Sequence, residues 1–417
     1  MKKYGISVFV FRNDLRLQDN IALISALKNS KIVIPVYIQE NLDLFKIKND
    51  NNKQFLLESI EILDNELNKK KSKLIILKTV TNLKTLILKN QIEAIFINKL
   101  YHPFHIKQEK QLEKMCGTLK IALTIFQDFL LHEALSITTN SGTAYKVYTP
   151  FFNKAKKQKV ESSLRSNHKN YLSKRSKIKA VKIISIKKLF SSLKKINENL
   201  HKNGGLNQGE KILQDISKFK DYKKQRDFPA LQATTKLSAY INSGCVSIRQ
   251  VYHAIVKKLG NNHELIRQIY WREFYYNLYY AYPELFKKTL KKPKVKWIGS
   301  RSLFNKWKKG KTGVLIVDAA MQQINQTGFM HNRCRMIVAN FLTLRMKINW
   351  KWGEKYFAQN LTDYDPILNN GNWQYMAQVG TDTAGYLRVL NPKLQQKKYD
   401  KDCKYIKKWL PKEDYCG

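Results

Sequence analysis

The sequence is poor in the residues that build metal sites and disulfide frameworks. Its five cysteines, among 417 residues, are scattered without a CxxC spacing. We therefore expect neither a zinc site nor a disulfide scaffold, and a reducing compartment fits best. No apolar run reaches the roughly 20 residues that span a bilayer. The N-terminus lacks the apolar core and cleavage site of a secretory signal, so we expect a protein that is not secreted.

Acidic residues are also scarce. The chain has 32 Asp and Glu against 76 Lys and Arg, a formal net charge of +44. Such a charge attracts polyanions, which makes nucleic acid the expected partner. A Lys-rich surface also follows from an AT-rich genome, so the charge alone names no function. The length exceeds what one hydrophobic core usually serves, and we expect two domains.

The first third of the chain alternates short β-branched runs with stretches of helical periodicity. A helix is predicted over 54–68, and strands are predicted at 6–11, 32–38, 74–77, 94–97 and 121–126. This alternation predicts an α/β N-terminal domain built on a doubly wound parallel sheet. No GxGxxG turn follows the first strand, where residues 12–16 read RNDLR, so we do not expect a dinucleotide in the usual crevice.

In the remainder of the chain, the composition and the periodicity of apolar residues change twice. A stretch rich in Lys, Ser and Asn predicts an interdomain connector, which we place at 131–204. Beyond it the strand patterns disappear, and the segments 264–282 and 317–344 carry apolar residues at helical spacing. We predict a first domain at 1–130 and an all-α second domain at 205–417.

Two segments of the second domain combine hydroxyl or aromatic groups with charge. Residues 234–238 read TTKLS, and three hydroxyls before a helical pattern suit a helix N-terminus that binds a phosphate. Ordinary helix capping also explains them. Residues 271–276 read WREFYY, where aromatic side chains surround an Arg and a Glu. Such aromatics are more often simply core.

Two further segments carry polar groups suited to a ligand. Asn332, Arg333 and Met336 fall within about one helical turn, a face that can meet a base and a phosphate. Residues 363–375 read DYDPILNNGNWQY, and we predict a polar turn with two carboxylates beside aromatics. Hydration by water would explain these polar groups, but a buried heterocycle with many donors and acceptors explains them better.

Together these motifs resemble the photolyase and cryptochrome family, and most of all the class I cyclobutane pyrimidine dimer photolyases. The similar segments occur in the family's order at 8–20, 226–230, 234–238, 310–313, 317–321, 369–374, 391–392 and 409–411. The resemblance implies a deoxyribodipyrimidine photo-lyase that repairs ultraviolet-damaged DNA with light. Three alternatives remain open: a (6-4) photoproduct photolyase, a blue-light receptor cryptochrome without repair activity, and a basic nucleic-acid-binding scaffold that has lost its flavin.

The resemblance also implies a cofactor and the residues that hold it. FAD would lie inside the helical domain, bound by Tyr222, Thr234, Thr235, Lys236, Leu237, Ser238, Gln268, Arg272, Asn332, Arg335, Asp363 and Asp365. Among these, Arg335 and Asp363 match an ion pair beside the isoalloxazine ring, and Asn369 matches the residue that faces the flavin N5. The N-terminal domain would be of the antenna type and leaves room for a second chromophore, a folate or a deazaflavin, to which we assign no residue. No metal is expected.

Electron transfer and DNA binding are implied in the same way. Trp297, Trp350 and Trp373 match the family's electron transfer chain. The residues implied for lesion and DNA contacts are Arg226, Gln268, Trp271, Asn332, Arg333, Met336 and Tyr375. The dimer must leave the base stack to reach a buried flavin.

Three departures from the family pattern bear on the lesion and on signalling. Gln268 stands where bacterial relatives commonly have Glu, and Tyr375 stands where they have Trp. A Gln also occurs in (6-4) photolyases, but Asn332 and Met336 are retained and the paired His of (6-4) repair is lacking, which favours the cyclobutane dimer. The chain ends at Gly417, soon after the 409–411 motif, which disfavours a signalling cryptochrome.

The expected partner is therefore ultraviolet-damaged DNA, single- or double-stranded, with no membrane involved. The family is mostly monomeric, and we expect a monomer. The compartment would be cytoplasmic in a bacterium, and a nucleus or a viral factory otherwise.

Overall fold

The computed structural model describes residues 2–43, 47–179 and 181–410. Its N-terminal strands are β1 (Tyr4–Phe11), β2 (Ser30–Ile38), β3 (Ile75–Leu77), β4 (Ala94–Asn98) and β5 (Ala122–Phe126). The helices between them are α1 (Ile21–Asn29), α2 (Asp50–Lys69), α3 (Val80–Lys89) and α4 (Pro103–Leu119). Every predicted strand is confirmed to within two residues at each end, and the predicted helix over 54–68 lies inside α2.

The five strands form one parallel sheet in the order β3-β2-β1-β4-β5. Alternate side chains of β1 enter different cores: Phe9 and Phe11 pack on one face, and Val8 and Val10 on the other. Burial on both faces explains why these strands read as nearly continuous apolar runs. The predicted doubly wound parallel sheet is confirmed.

The stretch between sheet and helical region folds back along the sheet. It contains α5 (Tyr148–Ala155) and α6 (Ile186–Phe190). Tyr171 forms a parallel bridge with Val33, and the Ile184 N–H donates to the carbonyl of Ile76 in the edge strand β3 (2.9 Å). The stretch therefore covers part of an edge that would otherwise be open. The domain limits at 130 and 204 stay predictions.

The rest of the described chain is helical. The helices are α7 (Leu206–Gln214), α8 (Tyr222–Gln225), α9 (Ser238–Ser243), α10 (Ile248–Leu259), α11 (Glu264–Ala281), α12 (Arg301–Lys308), α13 (Leu315–Thr327), α14 (Asn332–Asn340), α15 (Trp350–Asn360), α16 (Pro366–Met376), α17 (Pro392–Tyr399) and α18 (Lys404–Trp409). No strand occurs between residues 205 and 410, which confirms the all-α prediction there. Residues 411–417, with the last residue of the 409–411 motif and Cys416, lie outside the described chain. None of the described helices has the length and apolar character needed to cross a membrane.

The helical spacing predicted over 317–344 is divided between two helices, because Gly328 adopts a left-handed conformation (φ 66°) that ends α13, and α14 starts at Asn332. One prediction of local structure is wrong: the segment 363–375 is a turn only at its start. The Asp365 carboxylate accepts the N–H groups of Ile367 and Leu368 and so begins α16, which carries the amide residues.

A closed ionic cluster and a shared core join the two regions. Asp128 is ion-paired with Arg16 (2.5 Å) and with Arg249 of α10 (2.7 Å), and Arg249 also pairs with Asp19 (3.2 Å). All four side chains are almost completely buried. The core that contains Phe9 continues into the aromatic residues of α11. Part of the polar 8–20 motif therefore fastens the sheet to the helices.

Candidate functional site

Polar side chains from α9, α14 and the segment before α16 meet in the helical region. Arg335 Nη2 lies 3.0 Å from both carboxylate oxygens of Asp363, and the Ser238 hydroxyl donates to Asp363 Oδ2 (2.7 Å). The ion pair expected between Arg335 and Asp363 is thus formed. The structure joins it to the predicted phosphate segment, which ends 97 residues before Arg335.

The segment 234–238 has the geometry of an uncapped helix N-terminus. Lys236 adopts a left-handed conformation (φ 57°), and α9 begins at Ser238 after Leu237, whose side chain makes no capping hydrogen bond. Capping by a hydroxyl at the N-cap position, the ordinary explanation of this motif, is therefore not what the chain does. The Thr235 hydroxyl accepts the Leu237 N–H (3.5 Å), and within the described residues no side chain caps α9, so its first N–H groups suit an anion.

Arg272 is a buried cation whose hydrogen bonding is incomplete. Its Nη1 donates to the Phe129 carbonyl (3.0 Å) and lies 3.3 Å from Glu273 Oε1, and its plane stacks over Phe129 and Tyr276. Its Nη2 is buried without an acceptor in the described part of the chain. Leaving a charged donor unpaired is costly, so the group fits an anionic ligand such as a phosphate.

The side chains at the start and middle of α16 are held by other helices. Asp365 Oδ2 accepts the Tyr276 hydroxyl (2.6 Å), and burial raises the pKa of Asp365 above its ordinary value. The Asn369 amide donates to the Glu354 carbonyl (3.0 Å) and to Glu354 Oε1 (2.9 Å). Burial raises the pKa of Glu354 to about 7. Because the amide nitrogen faces Glu354, Asn369 presents its oxygen elsewhere.

The residues expected to contact DNA, together with their ion-pair partners, form a charged surface that we call the rim. Arg226 pairs with Glu264 (2.7 Å), and the Gln268 amide donates to the same carboxylate (3.1 Å). Arg333 pairs with Asp227 (2.8 Å). On the adjacent face, Asn332 lies 3.9 Å from the Met336 sulfur, as the helical spacing predicts. Tyr222 is buried under the Arg226 guanidinium.

Aromatic side chains continue this rim. Trp271 stacks on Tyr148 with ring centres 3.7 Å apart and planes 5° from parallel, and meets Tyr375 edge to face at 6.3 Å. Arg388 lies over Tyr375 and pairs with Asp382 (3.0 Å). The loop around Arg388 exposes apolar side chains, with Tyr386 70% exposed.

The segments that carry the three expected electron-transfer tryptophans contact one another. A bridge between Ile298 and Ile348 sets Trp297 beside the segment that leads into Trp350. Three residues further, Gly353 receives the ring of Trp373: a Cβ there would lie 2.2 Å from Trp373 Cη2. Trp350 and Trp373 are buried and Trp297 is half-buried. The ring neighbours of Trp373 are Phe357 (5.0 Å) and Trp307 (6.2 Å).

Several side chains of this site carried no signal in the sequence. Glu264 and Glu354 act through side chains that the fold brings near, and Arg388 belongs to a loop without a motif. Glu264 alone could have been suggested by its four-residue spacing from Gln268 on one helix. Among the described residues, no three His, Cys, Asp or Glu side chains are grouped to hold a metal ion.

Comparison with known proteins identifies the family. Residues 265–415 match the model of the FAD binding domain of DNA photolyase, and residues 7–168 match the DNA photolyase model. A deoxyribodipyrimidine photo-lyase of Agrobacterium fabrum is 33% identical in an alignment that covers 96% of this chain and 86% of that protein. The chain belongs to the DNA photolyase family. The predictions of a photo-lyase enzyme and an FAD cofactor are confirmed at this level.

Solved photolyase-family structures confirm the fold. A bacterial class III photolyase from Agrobacterium tumefaciens superposes with a TM-score of 0.89 at 30% identity, covering 99% of this chain and 87% of that one. A cryptochrome from Synechocystis gives a TM-score of 0.87 at 26% identity, covering 99% and 90%. For this photolyase-family chain, class I membership, lesion, second chromophore, monomeric state, compartment and the role of each site residue stay predictions.

Proposed function

We propose that this photolyase-family enzyme splits cyclobutane pyrimidine dimers in DNA, using light and a bound FAD. The single observation that carries the proposal is the buried Arg272, whose unpaired Nη2 has no acceptor in the described chain. A buried guanidinium with an unfilled donor, in the helical domain of a protein of this family, would suit the FAD diphosphate. The net charge of +44 supports a polyanionic substrate.

The surrounding residues fit the other parts of the cofactor. Thr234 to Ser238 and Arg272 would hold the diphosphate at the uncapped start of α9. The Arg335–Asp363 pair and Asp365 would meet the polar edge of the ring system. The remaining expected contacts are Tyr222, Gln268 and Asn332. When bound, reduced FAD would supply the light-driven electron transfer by which the cyclobutane ring is opened.

The chain's own part in the chemistry is orientation and polarity. Glu354 fixes the amide of Asn369, so its neutral carbonyl oxygen would be available to the flavin N5. That oxygen would accept a hydrogen carried at N5. The indoles of Trp297, Trp350 and Trp373 offer a path by which an electron from solvent reaches the flavin site.

The rim suits a dimer that has left the base stack. Extrusion costs a few kcal/mol for a normal base and less for a damaged one, because a dimer stacks poorly. Trp271, Tyr375 and Met336 would line the lesion pocket. Arg226, Asn332 and Arg333 would contact the lesion or the flanking phosphates. The exposed apolar loop around Arg388 would fill the gap left in the duplex, as apolar wedges do in bent DNA.

The environment of His331 favours the cyclobutane dimer over the (6-4) photoproduct. Its Nδ1 accepts the Arg333 N–H and so caps α14 (3.2 Å), and its side chain is almost entirely buried. Burial lowers the pKa of His331 to about 4, so the ring is neutral near pH 7. A buried, neutral capping histidine is not placed to protonate a lesion.

A blue-light receptor without repair activity is the second candidate, favoured by the similarity to the Synechocystis cryptochrome. One experiment separates the candidates. Reduced, FAD-loaded protein is illuminated with irradiated DNA, and both lesions are counted by mass spectrometry against a matched dark sample. We expect light-dependent loss of cyclobutane dimers only. Loss of (6-4) products alone would contradict the lesion assignment, and loss of neither from a flavin-loaded sample would favour the receptor.

A further inference from the structure

One carboxylate at the start of α11 holds two of the residues expected to contact damaged DNA. Glu264 Oε1 accepts from Arg226 Nη1 (2.7 Å) and from the Gln268 amide (3.1 Å). Its other oxygen lies 3.8 Å from Arg267 Nε. The Glu264 side chain is 19% exposed, so these contacts are partly shielded from water. Glu264 is thus anchored between two guanidinium groups.

This contact decides which end of the Gln268 amide points away from Glu264. A carboxylate paired with arginine offers acceptors only, so the NH₂ of the amide must face it. The carbonyl oxygen of Gln268 must then face the other way. An unanchored glutamine turns over and presents either end, whereas this one is fixed by a four-residue spacing on one helix.

Gln268 lies on α11 near residues expected to contact the lesion, so the direction of its carbonyl oxygen matters for lesion binding. Trp271, one turn further along the helix, is part of the aromatic rim with Tyr375. Arg267 packs on Phe152 and Tyr148, and Tyr148 stacks on Trp271. The same contacts that anchor Glu264 therefore continue to the ring expected to line the lesion pocket.

We infer that Glu264 is a positioning residue that makes Gln268 present a hydrogen-bond acceptor to the lesion. A thymine base offers one donor on its pairing edge, the imide N3–H, between two carbonyl acceptors. An amide fixed with its oxygen outward accepts that N3–H and cannot donate to the neighbouring carbonyl. The inference rests on the proposed function, because it requires a dimer in the pocket.

The test uses binding in the dark, so that it does not depend on the photochemistry. Three oligonucleotides carry one thymine dimer, either unmodified or with N3 methylated on the 5′ or on the 3′ base. Wild-type affinity is expected to fall about tenfold for one of the two methylated dimers, since one hydrogen bond is lost and its partner is left unpaired. Glu264→Ala should bind the unmodified dimer several-fold more weakly and be indifferent to methylation.

A conservative variant keeps the test informative if the alanine variant folds poorly. In Glu264→Gln, Arg226 holds the amide oxygen in place, and that oxygen still accepts the Gln268 N–H. This variant should stay sensitive to N3 methylation although its overall affinity falls. FAD retention and the melting temperature, measured for every variant, verify the fold.

Three results would overturn the inference. Methylation could cost the wild type nothing at either base, or Glu264→Ala could remain as sensitive as the wild type. A loss of FAD affinity with unchanged dimer affinity would assign Gln268 to the cofactor instead. Failure of the proposed function has a different signature: the wild type would not prefer the unmodified dimer to undamaged DNA.

Discussion

Two buried clusters in this molecule pair arginine with carboxylate. They differ in how many of the guanidinium N–H donors find an acceptor within the protein. Every guanidinium nitrogen of Arg16 and Arg249 donates to an acceptor of the chain. Burial opposes ionisation of Asp128, but the two guanidinium groups outweigh it and hold its pKa below the ordinary value. Arg272 in the helical region leaves Nη2 unpaired. The closed cluster joins the sheet to the helices, whereas the open cluster is where we propose that the FAD diphosphate binds.

Breaking the closed cluster should have the largest effect. Arg249→Met leaves Asp19 and Asp128 buried with one cation fewer, and we expect the free energy of unfolding to fall by about 4 kcal/mol. Urea denaturation measures it. The control is Lys218→Ala, which removes an exposed pair with Asp215 and should change stability by less than about 0.5 kcal/mol. Similar losses of unfolding free energy in both variants would contradict the distinction between the buried cluster and an exposed ion pair.

Glu273, the partner of Arg272, should make stability depend on pH. It is fully buried, and burial raises its pKa from 4.5 to about 7. Between these values the folded protein holds a proton that the unfolded chain has released, so stability falls as pH rises, by roughly 3 kcal/mol across the window. Glu273→Gln should flatten that slope. Denaturation at pH 5, 6, 7 and 8 measures both proteins, and equal slopes would refute the assignment.

Removing the Arg272 cation should weaken FAD binding more than it lowers the free energy of unfolding. Arg272→Met keeps the stacking volume over Phe129 and Tyr276 but removes the cation. We expect FAD affinity of the apoprotein to fall roughly 30-fold, about 2 kcal/mol, as for a hydrogen bond to a charged group. Quenching of flavin fluorescence on titration reports it. If FAD affinity is unchanged while stability falls, Arg272 is structural like Arg249.

The rim should give the smallest effect. Tyr375→Leu removes a stacking face beside Trp271 without leaving a buried charge. Affinity for dimer-containing DNA should fall about fivefold, near 1 kcal/mol, with stability unchanged within about 0.5 kcal/mol. Fluorescence anisotropy in the dark measures it, with Tyr386→Ser as a comparison in the neighbouring loop. A larger loss for undamaged than for damaged DNA would remove Tyr375 from the lesion pocket.

The sequence predicted the regular part of the fold well, for a physical reason. Strands buried on both faces repeat β-branched residues so densely that their limits are visible without tertiary information. The apolar spacing over 317–344 continues across Gly328, so the pattern does not show where one helix ends and the next begins, and only the backbone shows the left-handed turn. The amide residues near Asn369 looked like a turn because Asn and Gly favour turns, and the Asp365 cap overrides that tendency.

The site was predicted as far as local motifs extend. Arg335 and Asp363 were paired by resemblance, and the structure forms that pair. The orientation of Asn369 depends on Glu354, and that of Gln268 on Glu264. Which end of an amide faces a ligand is set by the partner on its other side. In the case of Asn369 that partner belongs to a different helix.

The closed cluster also has a consequence for the order in which the chain is made. Arg16, Asp19 and Asp128 leave the ribosome with the sheet, but Arg249 follows about 120 residues later, roughly 6–24 s at ordinary rates of synthesis. During that interval Arg16 is the only one of the two arginines present to pair with Asp128, and the Asp19 carboxylate still lacks Arg249. The newly made sheet region therefore reaches its full stability only when the helical region packs against it. A translation pause before residue 249 would lengthen the time that the sheet region spends without Arg249.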